Sequence, residues 1–154
     1  GIKVIAKDNV DEVVRDADIG IGGTTSDEIM CREPWLKPGA TYVSFTRREF
    51  DPAGWSLVDK VVVDSWEMNM LMKHFRASAE AGIFTHDMLH GEIHELVRGQ
   101  VAGRQSESER KLIHTTGLVA HDIAMCNYVY EKAIKKGVGI RLPFTGIGNP
   151  GPTD

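Results

Sequence analysis

The sequence predicts an α/β fold built on a parallel sheet, from three observations. Short β-rich runs alternate with helical or turn segments through the first 65 residues. The runs are apolar from end to end instead of alternating with polar residues, and Gly and Pro mark their ends. Continuous apolar strands, linked in part by helices, are the pattern of a parallel sheet covered on both faces.

The elements come in this order. Ile2 to Ala6 (IKVIA) reads as a strand. Asn9 is a plausible N-cap for a helix over Val10 to Ala17, whose Val10, Val13, Val14 and Ala17 share one face. Asp18 to Gly23 (DIGIGG) is predicted as a buried strand thinned by glycine, ending in Thr24-Thr25-Ser26. The turn Lys37-Pro38-Gly39 introduces a strand over Ala40 to Phe45, and Asp51-Pro52-Ala53-Gly54 precedes another over Lys60 to Ser65. Helix is predicted from Glu67 to Gly82, with Met68, Met70 and Met72 packing against apolar neighbours. A second helix is expected over Asp87 to Arg98, and Arg104 to Lys111 reads as a solvated loop. Leu112-Ile113-His114 is a further strand. The strongest helix spans Gly117 to Lys136, with Ile123, Cys126 and Ala133 at helical spacing and Lys132, Lys135 and Lys136 near its negative C-terminal end. Residues 142–154, rich in Gly and Pro, read as a mobile tail.

Composition narrows the function classes. At 154 residues, with 42% hydrophobic and 26% charged content, the chain has the balance of one globular domain. A net charge of −4 with interspersed signs advertises neither a nucleic-acid surface nor an anionic membrane surface. No apolar run approaches the roughly 18 residues of a membrane span, and residues 1–7 are not a signal peptide, so the expected location is cytoplasmic. Cys31 and Cys126 form no Cys-x-x-Cys pair and are expected to be buried thiols. The start on an apolar run without Met reads as a fragment of a longer fold.

Several motifs carry possible chemistry. Gly146-Ile147-Gly148-Asn149-Pro150-Gly151 matches a dinucleotide fingerprint in form only, because just three residues come after it where a helix should begin. His86, His90 and His94 are four apart and would stack along one helical side. Glycine stands where HExxH requires glutamate, so partly exposed histidines paired with Glu92 or Glu95 are expected and no metal is assigned. Thr24, Thr25 and Ser26 come after a glycine-containing strand, where the carboxyl end of an open sheet borders a ligand crevice. Thr115-Thr116-Gly117 repeats the pattern at the start of the strongest helix, where free amides favour a polar or anionic group, although Thr115 or Thr116 could equally be a helix cap. Asp122 is expected on the side of Cys126 and Val129, where a carboxylate needs a partner and could orient a site.

Six segments in order, ADIGIGGTTS (17–26), LKPGATYVSF (36–45), REFD (48–51), DKVVVDSWE (59–67), GEIHELVRGQVAGR (91–104) and TTGLVAHDIAMCNYVYEKAIKKGVG (115–139), resemble the later part of the ornithine cyclodeaminase and μ-crystallin family. The likeness covers nearly everything from Val4 to Gly139. YVSFTRREFDPAGW and DSWEMNM are similar to a subgroup named after a tyramine oxidase subunit. The resemblance implies that residues 1–141 are the C-terminal half of a Rossmann-type NAD(P)-binding domain. It places Thr24, Thr25 and Ser26 beside the cofactor, the backbone of Val43 and Ser44 near the nicotinamide, and Thr115 at a hydroxyl contacting that ring, with Gly117 close by. It further implies NAD or NADP as cofactor, a small amino or imino acid as substrate of the parent protein, and a homo-oligomer.

The departures also carry expectations. Family cyclodeaminases have a Gly-Gly-Asp segment after the strand equivalent to 40–45. Here the chain runs Phe45-Thr46-Arg47-Arg48-Glu49, with Arg47 near the position of a family lysine, which speaks against ornithine cyclisation. The pyrophosphate-binding turn and substrate lobe would precede Gly1, so the fragment alone is expected to be inactive. Three functions compete: a parent enzyme transferring hydride to an amino or imino acid, a non-catalytic accessory subunit, and a metal-dependent hydrolase using the histidines. Half a parallel sheet would expose an unpaired edge and self-associate.

Overall fold

A computed structural model describes residues 1–45, 49–140 and 142. These fall into two compact units, Gly1–Gly117 and the described residues of Leu118–Asp154.

The first unit is organised by five parallel strands: β1 (Ile19–Gly22), β2 (Thr41–Ser44), β3 (Lys60–Val63), β4 (Gly91–Glu92) and β5 (Lys111–His114), in the spatial order β1-β2-β5-β3-β4. The chain therefore leaves a place beside β2 that β5 later fills. Register aligns Gly20, Tyr42, Leu112 and Val61 in one row and Gly22, Ser44, His114 and Val63 two residues on. Side chains alternate along a strand, so these two rows share a face. Against that face pack Cys31, Leu36, Phe50, Trp55, Phe75 and Phe84, forming the core with Tyr42, Val61, Val63 and Leu112.

The expectation of a sheet buried on both faces holds for β3, where Lys60 and Val62 of the other face are also buried, but not for its neighbours. Thr41, Val43, Lys111 and Ile113 on the other face are only half-buried, and Ile19 and Ile21 of β1 are exposed. The glycines of β1 have a packing reason. A Cβ on Gly20 would fall 2.6 Å from the Tyr42 ring, and one on Gly22 would fall 2.5 Å from its hydroxyl and 2.7 Å from a Glu49 carboxylate oxygen.

Ile2 to Ala6 is not a strand. It pairs with no described neighbour, and Ile2, Val4 and Ile5 are exposed, since apolar composition cannot make a strand without a ladder to join. The first helix, α1 (Val10–Val14), is shorter than expected and buries only Val14; Asn9 makes no side-chain cap bond and donates to Glu12 instead, at 3.0 Å.

The predicted helix over Glu67 to Gly82 is two helices, α2 (Trp66–Met70) and α3 (Lys73–Glu80), separated where Met72 is extended. Packing overrides propensity here. The Asn69 side chain donates to Asp64 Oδ1 and to the Ser65 carbonyl, both at 2.8 Å, while Phe75 of α3 sits edge-on to Trp55 and Trp66. Of the three methionines only Met70 packs against the core; Met68 and Met72 are exposed.

The stretch from Asp87 to Arg98 is likewise broken. His86–Met88 form a short 3-10 turn, Gly91 and Glu92 pair with Val62 and Val63 as β4, and α4 (Ile93–Val97) begins on a Glu92/Glu95 capping box. The segment from Arg104 to Lys111 is more than a solvated loop. Arg104 donates to the Gly39 carbonyl at 2.7 Å, Arg110 pairs with Glu33, and the buried Lys60 ammonium meets Glu109 at 3.2 Å.

The second unit is the helix α5 (Val119–Lys136), closed by Gly137 in the left-handed conformation. Its N-cap is Leu118, with no side-chain cap bond, so neither Thr115 nor Thr116 caps it. Cys126 is exposed, against the expectation of two buried thiols, whereas Cys31 is buried. Burial pushes the Cys31 thiol up to about 12. Among the described residues no helix is long and apolar enough to cross a membrane.

Candidate functional site

The carboxyl ends of β1, β2 and β5 open onto a cavity of about 360 Å³ lined by Thr24, Thr25, Phe45, Met72, His74, His114, Thr115 and Thr116. Each strand contributes residues at or just past its end, and Met72 and His74 at the α2–α3 junction line another side. A larger, more open cavity of about 690 Å³ shares Met72 and His74 and continues along α3 to Ala77, Ser78 and Ile83.

Two buried carboxylates shape the first cavity without lining it. Glu49, fully buried, accepts from the Thr24 amide and, at 3.3 Å, from the Phe45 amide, tying the turn after β1 to the turn after β2. Asp64, directly after β3, accepts from the Thr116 amide at 2.8 Å, the Gly117 amide at 2.9 Å and the Thr116 hydroxyl at 3.2 Å through one oxygen. Its other oxygen takes Asn69 at 2.8 Å and the Ser65 amide at 2.9 Å. A carboxylate accepting amides in this way holds a loop in one shape. Gly117, with φ +84°, supplies the left-handed turn that brings two successive amides to Asp64.

His114 is 1% exposed, and neither ring nitrogen has a hydrogen-bond partner among the described residues. Its ring stacks on Phe75 at 6.1 Å and 9°, meets Trp55 edge-on at 5.0 Å, and lies 5.8 Å from His74. Burial first, then the neighbouring His74, lowers its pKa to about 4, against the opposing pull of Asp64 and Glu49. The ring is neutral at neutral pH.

The residues singled out from sequence fall into three groups. Thr24, Thr25 and Thr115 line the cavity together. Ser26, Val43, Ser44 and Gly117 do not. The Ser26 amide donates to Thr24 Oγ1 at 3.3 Å and its hydroxyl accepts from the Glu28 amide at 3.1 Å, so Ser26 is occupied within the turn. Ser44 is buried, and its carbonyl accepts from the Thr115 amide at 2.9 Å. Val43 points to the half-buried face opposite Ser44. Arg47 and the Gly146–Gly151 string lie outside the described residues. Asp122 is exposed in the first turn of α5, as are Cys126 and Val129 further along.

The histidine stripe is also corrected. His86, His90 and His94 belong to a 3-10 turn, the approach to β4 and α4, so they share no helical side; His90 Nε2 lies 2.7 Å from the Ala102 carbonyl and His94 Nδ1 3.2 Å from Glu92. Thr116, named with Thr115 in the sequence, lines the cavity as well, whereas sequence reasoning missed Phe45, Met72, His74 and His114. The available signal for His114 was a histidine ending an apolar strand just before Thr-Thr-Gly.

An all-parallel open sheet with its crevice at the strands' carboxyl ends, bordered by hydroxyl residues, defines an α/β protein of the ligand-binding, nucleotide-fold type. The chain belongs to the ornithine cyclodeaminase/mu-crystallin family, whose model matches residues 1–137. It is 29% identical over 142 residues to N-((2S)-2-amino-2-carboxyethyl)-L-glutamate dehydrogenase of Staphylococcus aureus, covering 92% of this chain and 42% of that protein. It is 34% identical over 87 residues to a Delta(1)-pyrroline-2-carboxylate reductase of Bacillus cereus, covering 56% of this chain and 27% of the relative. Its fold resembles that of Thermococcus litoralis Delta(1)-pyrroline-2-carboxylate reductase in complex with NADH and L-proline, with TM-score 0.76, 28% identity and coverage of 87% and 43%. An archaeal alanine dehydrogenase dimer with bound NAD matches with TM-score 0.72, 26% identity and coverage of 88% and 43%. The chain thus spans less than half the length of these relatives.

Proposed function

We propose that the chain forms the nicotinamide end of an NAD(P) site in an oxidoreductase that moves hydride between the cofactor and the α-carbon of a small amino or imino acid. The observation that carries this reading is the convergence of Thr24, Thr25 and Thr115 on one cavity at the sheet's carboxyl edge. A nicotinamide ring needs a flat apolar wall and polar groups for its carboxamide; Phe45 and Met72 supply the first, and the threonine hydroxyls the second. The cofactor, when bound, supplies the hydride. The chain's part is to hold the ring through the loops that Glu49 and Asp64 fix, and to exclude water with Phe45 and Met72. Pyrophosphate contacts are assigned to segments outside this chain, so residues 1–154 alone are expected to be inactive. The exposed edge of β1, with Ile19 and Ile21, supports self-association.

A second reading, a non-catalytic accessory subunit, is favoured by one feature. The family Gly-Gly-Asp segment is absent, and the next carboxylate in the sequence, Glu49, is engaged with the Thr24 and Phe45 amides. Thermal unfolding with and without NADH or NADPH tests cofactor binding in the protein that contains this chain. Ligand at about 100 times its dissociation constant should add roughly 2.7 kcal/mol. No shift with either cofactor removes the proposal, and a shift without NADH oxidation by any cyclic or linear imino acid selects the accessory subunit.

A further inference from the structure

We propose that His114 is a ligand-binding group of the cavity, with His74 beside it, and that the group they receive is the carboxylate of the acid substrate. The inference rests on the proposed function for the class of acid, but the site stands on its own geometry.

The strand row Gly22, Ser44, His114, Val63 places His114 at the carboxyl edge, where side chains on this face pass from core to cavity. Three of its neighbours, Trp55, Phe75 and His74, are aromatic rings, so a phenyl group would fill the same space. An imidazole stands there instead, 1% exposed, lining the cavity, with both nitrogens unpartnered among the described residues. Buried polar groups in folded proteins are as a rule satisfied, so an orphaned ring at a cavity wall marks a place for a bound partner.

The charged and titratable groups around it decide what that partner is. His74 on α3 disfavours a positive His114, while Asp64 after β3 and Glu49 after β2 favour it. Both carboxylates are engaged behind the wall, Glu49 with the Thr24 and Phe45 amides and Asp64 with Thr116, Gly117, Asn69 and Ser65. None of the described lining residues is acidic, and the polar lining consists of two imidazoles and four threonine hydroxyls, of which that of Thr116 already donates to Asp64. Such a wall offers donors, and a carboxylate offers only acceptors. An anion beside the two rings also offsets their mutual disfavour, so its binding takes up a proton at His114.

The test uses the whole gene product carrying this chain, titrated calorimetrically with pyrrole-2-carboxylate, a planar acid that cannot accept hydride as an imine does, and with its neutral isostere pyrrole-2-carboxamide. Titrations run with and without NADH, between about pH 5 and pH 8, the range in which a perturbed histidine titrates. The carboxylate is expected to bind at least about tenfold more tightly than the carboxamide at the acid end, with affinity rising by up to about tenfold per pH unit as pH falls. His114→Gln keeps a hydrogen-bonding side chain and should lose the pH slope. His114→Phe keeps the aromatic packing and should weaken the carboxylate by about tenfold or more, roughly the loss of one hydrogen bond to a charged group. A carboxylate bound no more tightly than the carboxamide, a slope retained in His114→Gln, or an unweakened His114→Phe overturns the proposal. Absence of NADH binding with the His114-dependent slope intact removes the cofactor reading alone and leaves the carboxylate site standing.

Discussion

Asp64→Asn should destabilise the protein by about 3 kcal/mol, and the structure shows where that figure comes from. Asp64 is 5% exposed and takes five donors, three on one oxygen and two on the other. Asparagine keeps one carbonyl oxygen and turns an amide donor toward whichever set it abandons. The less costly orientation gives up Asn69 Nδ2 and the Ser65 amide, and hydrogen bonds to a charged acceptor contribute about 1.5–3 kcal/mol each. Asn69 retains its bond to the Ser65 carbonyl, and partial relaxation lowers the sum, which leaves about 3 kcal/mol. For a chain of this size that corresponds to a fall in Tm of roughly 6–12 °C. Urea unfolding measures the change, and amide hydrogen exchange at Ser65, Thr116 and Gly117 localises it, since the first amide loses its acceptor and the other two exchange a charged acceptor for a neutral one. A variant within about 0.5 kcal/mol of wild type, with exchange at these three amides unchanged, refutes the account of Asp64 as the anchor of this loop.

Gly22→Ala drives a methyl group into the Tyr42 hydroxyl and Glu49, and should cost about 1–3 kcal/mol in denaturant unfolding. Tyr42→Phe in the same chain removes one of the two clashing groups and should recover part of that loss; no recovery would show that the tyrosine hydroxyl is not the obstacle. The depressed pKa of His114 sets a pH dependence of stability. The unfolded imidazole titrates near 6.5 and the folded one near 4, so between these values the unfolded state binds more protons. Stability is therefore full above about pH 6.5 and falls as pH drops toward 4, by about 3 kcal/mol at 1.36 kcal/mol per unit. His114→Phe should flatten that part of the profile, and an unchanged acid slope in the variant would assign it to other groups.

The β-strands were legible because their apolar runs are short, continuous and bounded by Gly, Pro and Asp. Lys60 to Val63 and Thr41 to Ser44 fall inside the predicted segments with ends one or two residues trimmed. Failures came where local composition and tertiary partners disagree. Ile2 to Ala6 has the composition of a strand and no described strand beside it, while Gly91 and Glu92 look helical and pair with β3, with Val101 packed where a Cβ on Gly91 would lie 3.1 Å away. At the site, Thr24, Thr25 and Thr115 could be named because hydroxyl residues after glycine-bearing or apolar strands have a reason to face a crevice. His74 could not, because its place depends on the extended Met72 that separates α2 from α3.

Residue order alone settled that strands here are parallel and connected by helices or long crossovers, since continuous apolar runs are ill suited to a sheet with one solvated face. It also settled that hydroxyl-rich turns come after two of them, and which family these segments resemble. Only the folded arrangement decided that β5 enters between β2 and β3, which sets His114 beside Ser44 and brings the threonine-bearing loops after β1 and β5 to one cavity. It alone decided that Asp64 and Glu49 serve backbone amides of loops distant in sequence, and that a histidine is buried with no described partner for its nitrogens. The physical reason is range. Hydropathy and turn chemistry act over a few neighbouring residues, whereas strand order, burial and the satisfaction of buried charges depend on contacts between residues some 25 to 50 positions apart.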